Sequence, residues 1–400
     1  MEMKVTIRIT LFLYIALLLI GATAGQAAAS SPQGVPAGTE STIEAQAAHL
    51  PVDKIESYWT ELAGQYGGYF PDNRLPSFKE LIMPGGSFGM SDLLQGLLKY
   101  FFFELLQSGK LLVSIVVLTV FSAVLQTLQG AFERTSISKV AYAICYLVIM
   151  IVAINSFNVA IGYARSAIES MIHFMTAMVP LLLSLLVSIG SIATASVLHP
   201  LIVFMIHIIG TLIYTIVFPL LFFSAVLHLV SAISDKYKVS QLADLMRKIG
   251  IGVLGFMLTV FLGVLSVQGA TGAVMDGVTI RTAKYVTGNF VPVVGKMFTD
   301  AADSVIGASL LVKNAIGLFG VLVLVLLSAF PAIKILSLAL IFNLSGAMMQ
   351  PLGDSPIVSC LQTIGKNLIY VFAALAAVGL MFFFAMTTII ASGNIAVMMR

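Results

Sequence analysis

Lys296, Asp300 and Asp303 are spaced by four and three residues, so on a helix their charges share one face. They lie in the stretch 269–317, GATGAVMDGVTIRTAKYVTGNFVPVVGKMFTDAADSVIGASLLVKNAIG, between runs that are almost wholly apolar. Charges held between membrane spans need water, a counter-charge or a subunit contact. The chemistry expected here is therefore pore lining or interface pairing, with Lys313 a further candidate at the far end. Seven glycines punctuate the stretch, and 278–286 and 298–312 alternate apolar and polar residues with a helical period. Pro292, which has no backbone N–H to donate, and Gly295 mark the join between these pieces. Asp276 lies outside the shared face, so reversing its charge is expected to matter less than reversing Asp300 or Asp303.

Lys334 is the second oddity, because it follows Pro331 inside an apolar run. Either it sits in mid-bilayer with a carboxylate or water, or the run breaks at Pro331 and the amine snorkels to an interface. Four histidines, His173, His199, His207 and His228, fall in the apolar half. The first two stand at ends of apolar runs, and the others have no Cys, Asp or Glu at ligand spacing, which favours interfacial or packing roles over a proton relay or a metal site. There is no G-x-x-x-x-G-K-[ST] phosphate loop, no H-E-x-x-H and no G-x-S-x-G elbow. No catalytic, cofactor or metal residues are assigned, and the chain reads as non-enzymatic. Cys145 and Cys360 lie in or beside apolar segments and read as buried small residues rather than a disulfide.

The elements that must carry these residues are membrane helices. Of 400 residues, 59% are hydrophobic and 10% charged, and the mean hydropathy is +1.03. A soluble domain of this size would have roughly a quarter of its residues charged. The fold class is all-α, a polytopic helical membrane protein. Residues 1–28 read as a cleaved signal peptide, with Lys4 and Arg8 before the apolar core 9–20 and small residues at 22–29. Residues 29–109 form a small exported helical region that holds nine of the 18 acids. Its Tyr58, Trp59 and Tyr66 are large amphipathic side chains of the kind enriched at interfaces, and are the candidates for partner contact. The segment 93–107 is apolar enough to lie on a bilayer or against spans.

A first membrane bundle is expected over 110–268, the broken amphipathic block over 269–316, and a second group of membrane segments over 317–400. Seven apolar runs, about 111–129, 140–161, 172–192, 201–230, 250–267, 317–343 and 368–391, predict about seven transmembrane segments. Two runs are long and contain Pro219 and Pro331, so each is either one kinked helix with an end outside the bilayer or a re-entrant pair. Basic residues divide seven to six between the two sides, a margin that orients nothing. Gly252, Gly255 and Gly263, Ala373 and Ala377, Ser184 and Ser188, and Gly190-Ser191 are expected at close helix contacts.

The run DGVTIRTAKYVTGNFVPVVGKMFTDAADSVIGASLLVKNAIG at 276–317 resembles the most characteristic block of the stage III sporulation protein AE family. The order of parts is similar too: a signal peptide, then IESYWTE at 55–61, YGGYFP at 66–71 and LPSFKE at 75–80, then the apolar half. The resemblance covers essentially the whole chain. It implies a multi-pass protein of the bacterial cell membrane, made in the mother cell of an endospore former and placed in the membrane around the forespore. It implies as partners other stage III sporulation membrane proteins and a forespore-side protein, in a channel or secretion-like complex with no catalytic residues assigned. A homo-oligomer within the complex is expected, the lipid bilayer is a partner, and nucleic acid is not. The alternative is a permease-type secondary transporter with 269–317 as its substrate gate.

Overall fold

The computed structural model describes residues 53–73, 75–77, 89–131, 136–233, 239–290, 294–352 and 355–398. Every regular element among them is helical. Helix α1 (Asp53–Tyr66) is followed by two single turns, Gly67–Tyr69 and Pro71–Asn73. Helices α2 (Met90–Gln107) and α3 (Gly109–Ala131) meet at a turn on Ser108. Then come α4 (Ser136–Ser188), α5 (Ile192–Leu212), a π turn at Ile213–Val217, α6 (Phe218–Ile233), α7 (Ser240–Phe290), α8 (Val294–Met349) and α9 (Pro356–Met398). The signal segment 1–28 and Pro292 lie outside the described residues.

Among the described residues six helical stretches are long and apolar enough to cross a membrane: Met90–Val124, Val140–Ser188, Ile192–Ala232, Ser240–Gln268, Ile306–Met349 and Pro356–Asn394. The seven apolar runs fall on these six because 140–161 and most of 172–192 belong to one helix, α4. The first stretch also begins inside the segment expected to be exported, since α2 continues into α3. At 1.5 Å per residue, the 53 residues of α4 measure about 80 Å. A 40° tilt would still leave a straight helix about 60 Å tall against a ~30 Å hydrocarbon core, so α4 extends beyond the bilayer.

Both proline-bearing runs are continuous helices. Pro219 has no N–H and its ring crowds the carbonyl four residues back. The chain absorbs this by widening: the N–H of Phe218 donates to Ile213, five residues back, in the π turn. Between α4 and α5 the helix does stop. Gly190 takes φ 91°, and the N–H groups of Gly190 and Ser191 donate to Val187 at 2.9 Å and Leu186 at 3.0 Å. That left-handed cap satisfies the last carbonyls of α4, so Gly190-Ser191 is a turn rather than a helix contact.

The bundle is organised on α9. Leu361, Ile364, Leu368, Val371, Leu375, Val378, Phe382, Ala385 and Ile389 recur at alternating three- and four-residue steps, and all are fully buried. Such a stripe packs along another helix, and α8 is its main neighbour. Contacts run antiparallel from Lys313 with Asn394, through Gly317 with Ile390 and Gly365 with Asn343, to Gly346 with Gln362. That span of α8 is about 50 Å long. A Cβ on Gly365 would stand 2.6 Å from the Asn343 side chain, so the absence of a side chain is what lets the helices approach. Gly252, Gly255 and Gly263 have nothing within 4 Å of a Cβ position. The close approaches expected of them are made by the α8 and α9 glycines instead. Helix α4 packs against both α8 and α9, and α7 lies against α5, α6 and α9.

Candidate functional site

The 269–317 stretch is the end of α7 and the beginning of α8. Gly295, Lys296, Asp300 and Asp303 fall in the first turns of α8. Their side chains are outside the described residues. The two described charges of the stretch are both tied down. Asp276 on α7 is 1% exposed, and its two oxygens accept the N–H groups of Ala193 at 2.9 Å and Thr194 at 3.1 Å. These are the second and third positions of α5, whose own N-cap residue, Ser191, makes no side-chain cap bond. Asp276 therefore serves α5 as a remote cap, its charge against the positive end of the helix dipole. This buried role gives a reason to expect a large effect from reversing Asp276, which the sequence alone ranks below Asp300 and Asp303.

Lys313 is fully buried. Its Nζ donates to the Ile390 carbonyl at 2.8 Å and to Asn394 Oδ1 at 3.3 Å, both near the end of α9. Gly393 makes the space, since a Cβ there would collide with the amine. Lys313 is thus a bolt between α8 and α9.

Lys334 is half-buried in α8, and its Nζ stands 4.8 Å from the centre of the Tyr163 ring on α4. Such an ammonium over an aromatic face is favourable by about 1–2 kcal/mol when partly desolvated. Both residues line a cavity of about 180 Å³ enclosed by α1, α4 and α8. Its α1 wall is Tyr58, Glu61, Gln65 and Tyr66, its α4 wall includes Ser166 and Ser170, and its α8 wall includes Leu327 and Pro331. Pro331 has no N–H for the Leu327 carbonyl, which leaves an acceptor unclaimed by the helix ladder beside the cavity. Lys334 is therefore neither stranded in lipid nor at a helix break: it borders a polar cavity.

The α1 aromatics position that wall. Tyr58 meets Phe174 of α4 edge-on at 5.6 Å, Trp59 meets Phe319 of α8 at 5.1 Å, and Tyr66 stacks on Phe330 of α8 at 3.7 Å. Trp59 is 3% exposed, and its Nε1–H donates to Pro76 at 2.8 Å. The surface of Trp59 expected at a partner is spent inside this chain. Burial, then the Glu104 carboxylate, raises the pKa of the Tyr66 phenol above its ordinary value and keeps it a donor.

The histidines have ordinary surroundings with one exception. His173 lies 3.9 Å from Glu169, both exposed, and His207 Nδ1–H donates to Val203 one turn back at 2.8 Å. His199 borders an open groove with Pro180 and Ile192. His228 Nε2 stands 3.3 Å from Asp244 Oδ1, which also binds Arg247, whose guanidinium lies 5.3 Å from the Tyr370 ring centre. The carboxylate missing at ligand spacing along the sequence is supplied to α6 by α7. Cys145 and Cys360 are free and buried.

Glu61, Tyr163, Ser166 and Ser170 were not singled out from sequence. The signal was present in the interval GYARSAIESM at 162–171, which is polar yet free of proline and rich in helix formers, and so could continue a helix while turning polar groups inward.

Comparison with known proteins gives two matches. The sequence model of the family described as stage III sporulation protein AE matches residues 76–393. A stage III sporulation protein AE from Bacillus subtilis (strain 168) is 51% identical over 361 residues, which are 90% of each chain. No solved structure matches.

Proposed function

The chain belongs to the stage III sporulation protein AE family, and we propose that it is a non-enzymatic integral component of a channel or secretion-like complex linking mother cell and forespore during endospore formation. It would reside in the mother-cell-derived membrane around the forespore. Its partners would be other stage III sporulation membrane proteins and a forespore-side protein.

The observation that carries this reading is the joining of that family to a bundle that has, among the described residues, six helical stretches long and apolar enough to span a membrane, and whose centre is filled. The α9 stripe is fully buried against its neighbours. A conduit would therefore run between copies or between this chain and its partners, which supports a homo-oligomer. Purification of the complex from sporulating membranes, followed by mass measurement and imaging of this chain alone in nanodiscs, tests the reading. A ring or higher oligomer with stage III partners attached is expected. A monomer with none of them attached would refute it.

The cavity beside Lys334 favours a second reading, a small-solute permease. Its walls come from α1, α4 and α8 rather than from 269–317, so the cavity gives no support to that stretch as its gate.

A further inference from the structure

We propose that the cavity between α1, α4 and α8 binds a small zwitterion of the α-amino acid class, its carboxylate toward Lys334 and its ammonium toward Glu61. This goes beyond the complex proposed above and rests only on the cavity.

The two charges line the same cavity from different helices, Lys334 on α8 and Glu61 on α1. Among the described residues no carboxylate lies within 4 Å of the Lys334 amine; the ion pairs present involve His173, His228 and Arg247. The amine has three N–H donors, and the Tyr163 ring face satisfies it only through the ring's quadrupole. A ligand carboxylate would complete it with a charge-assisted hydrogen bond. On the other side Glu61 is exposed on α1. Tyr58, three residues before it on α1, lines the same cavity, and its phenol pKa is raised by burial and then by the Glu61 charge. An ammonium there would meet the Glu61 carboxylate.

Size restricts the class. At ~30 Å³ per molecule of liquid water, 180 Å³ corresponds to about six waters, hence a ligand of roughly six to eight non-hydrogen atoms. Glycine, alanine and serine fit this range. Ser166 and Ser170 offer hydroxyls to a small polar side chain. Glu61, Gln65 and Ser166 are exposed, so the cavity opens beside them.

The test uses the full chain in lipid nanodiscs with radiolabelled L-alanine, in a proximity assay that needs no assembled complex. Saturable binding of one ligand per chain is expected. Glycine and L-serine should compete, whereas propionate and ethylamine at equal concentration should not. Lys334→Met and Glu61→Gln should each weaken binding by roughly ten- to a hundredfold, as for loss of a charge-assisted hydrogen bond. Lys366→Met, at an exposed lysine on α9, should bind as the parent does. Unchanged emission of the single, buried Trp59 checks that each variant is folded, and Lys334→Arg should retain binding if Lys334→Met does not fold. No saturable binding up to about 10 mM would overturn the proposal. So would propionate competing as well as alanine, or parental affinity in Glu61→Gln. Any of these leaves the complex-component reading standing, and failure to assemble a complex leaves the binding result standing.

Discussion

Removal of the Asp276 carboxylate should release the start of α5. Asp276 is 1% exposed and holds the Ala193 and Thr194 amides at 2.9 and 3.1 Å. Hydrogen bonds to a charged group contribute about 1.5–3 kcal/mol each, but these two share one carboxylate and one helix end, so they do not simply add. A loss of about 3 kcal/mol is expected for Asp276→Ala, and about half of that for Asp276→Asn, which keeps one acceptor oxygen but no charge. In an opening equilibrium, 3 kcal/mol is a factor of roughly 150. Hydrogen exchange on the protein in nanodiscs should therefore show the Ala193 and Thr194 amides exchanging about a hundredfold faster in Asp276→Ala. Amides in the middle of α9 should be unchanged. Asp276→Lys would set a cation against the positive end of α5 in a buried site and should prevent accumulation of the protein in the membrane. Unaltered protection of those two amides in Asp276→Ala, or normal abundance of Asp276→Lys, would refute the capping argument.

Gly393→Ala should push the Lys313 amine off Ile390 and lower stability by about 1–3 kcal/mol, read as a fall in the thermal midpoint in detergent; an unchanged midpoint would mean Lys313 is not wedged there. Asp300→Lys and Asp303→Lys are expected to abolish spore formation at normal protein level, because they reverse two charges on one face at the start of α8; full spore yield from both would remove that face from the mechanism. Amino-terminal sequencing of membrane-derived protein should find a start between Gly25 and Ser31, and retention of Met1 would exclude cleavage.

Much of the bundle was legible because hydropathy and the helical period act along the chain. The stripe on α9 can be read directly from 361–389, since alternating steps of three and four place its residues on one side. The Pro219 run is unusual in length and in its proline, but its solution, a π turn that accommodates the missing N–H, depends on backbone geometry that residue types do not specify. In the sequence the polarity of 162–171 divides 140–192 into two apolar runs. Polarity limits what can lie in hydrocarbon, not what can be helical, and α4 is long enough to take its polar waist away from lipid.

The site was less legible for a reason that follows from the same helix. Lys334 invited two explanations because a lone cation in an apolar run has no sequence-local partner. Its neighbours come from α4, 171 residues earlier at Tyr163, and from α1, 273 residues earlier at Glu61. Both become adjacent only if α4 stays helical through 162–171, and α1 packs its aromatic face on Phe174, Phe319 and Phe330. In the sequence the polar interval 162–171 separates two apolar runs, which hides that Tyr163, Ser166 and Ser170 lie on one continuous helix, and nothing local to 53–66 places Glu61 near them. With α4 continuous and α1 docked, Glu61, Gln65, Tyr163, Ser166 and Ser170 come together beside Lys334 and the proline that frees the Leu327 carbonyl. A cavity with a cation on one wall and a carboxylate on another is then a consequence of three helices whose apolar faces are already committed elsewhere.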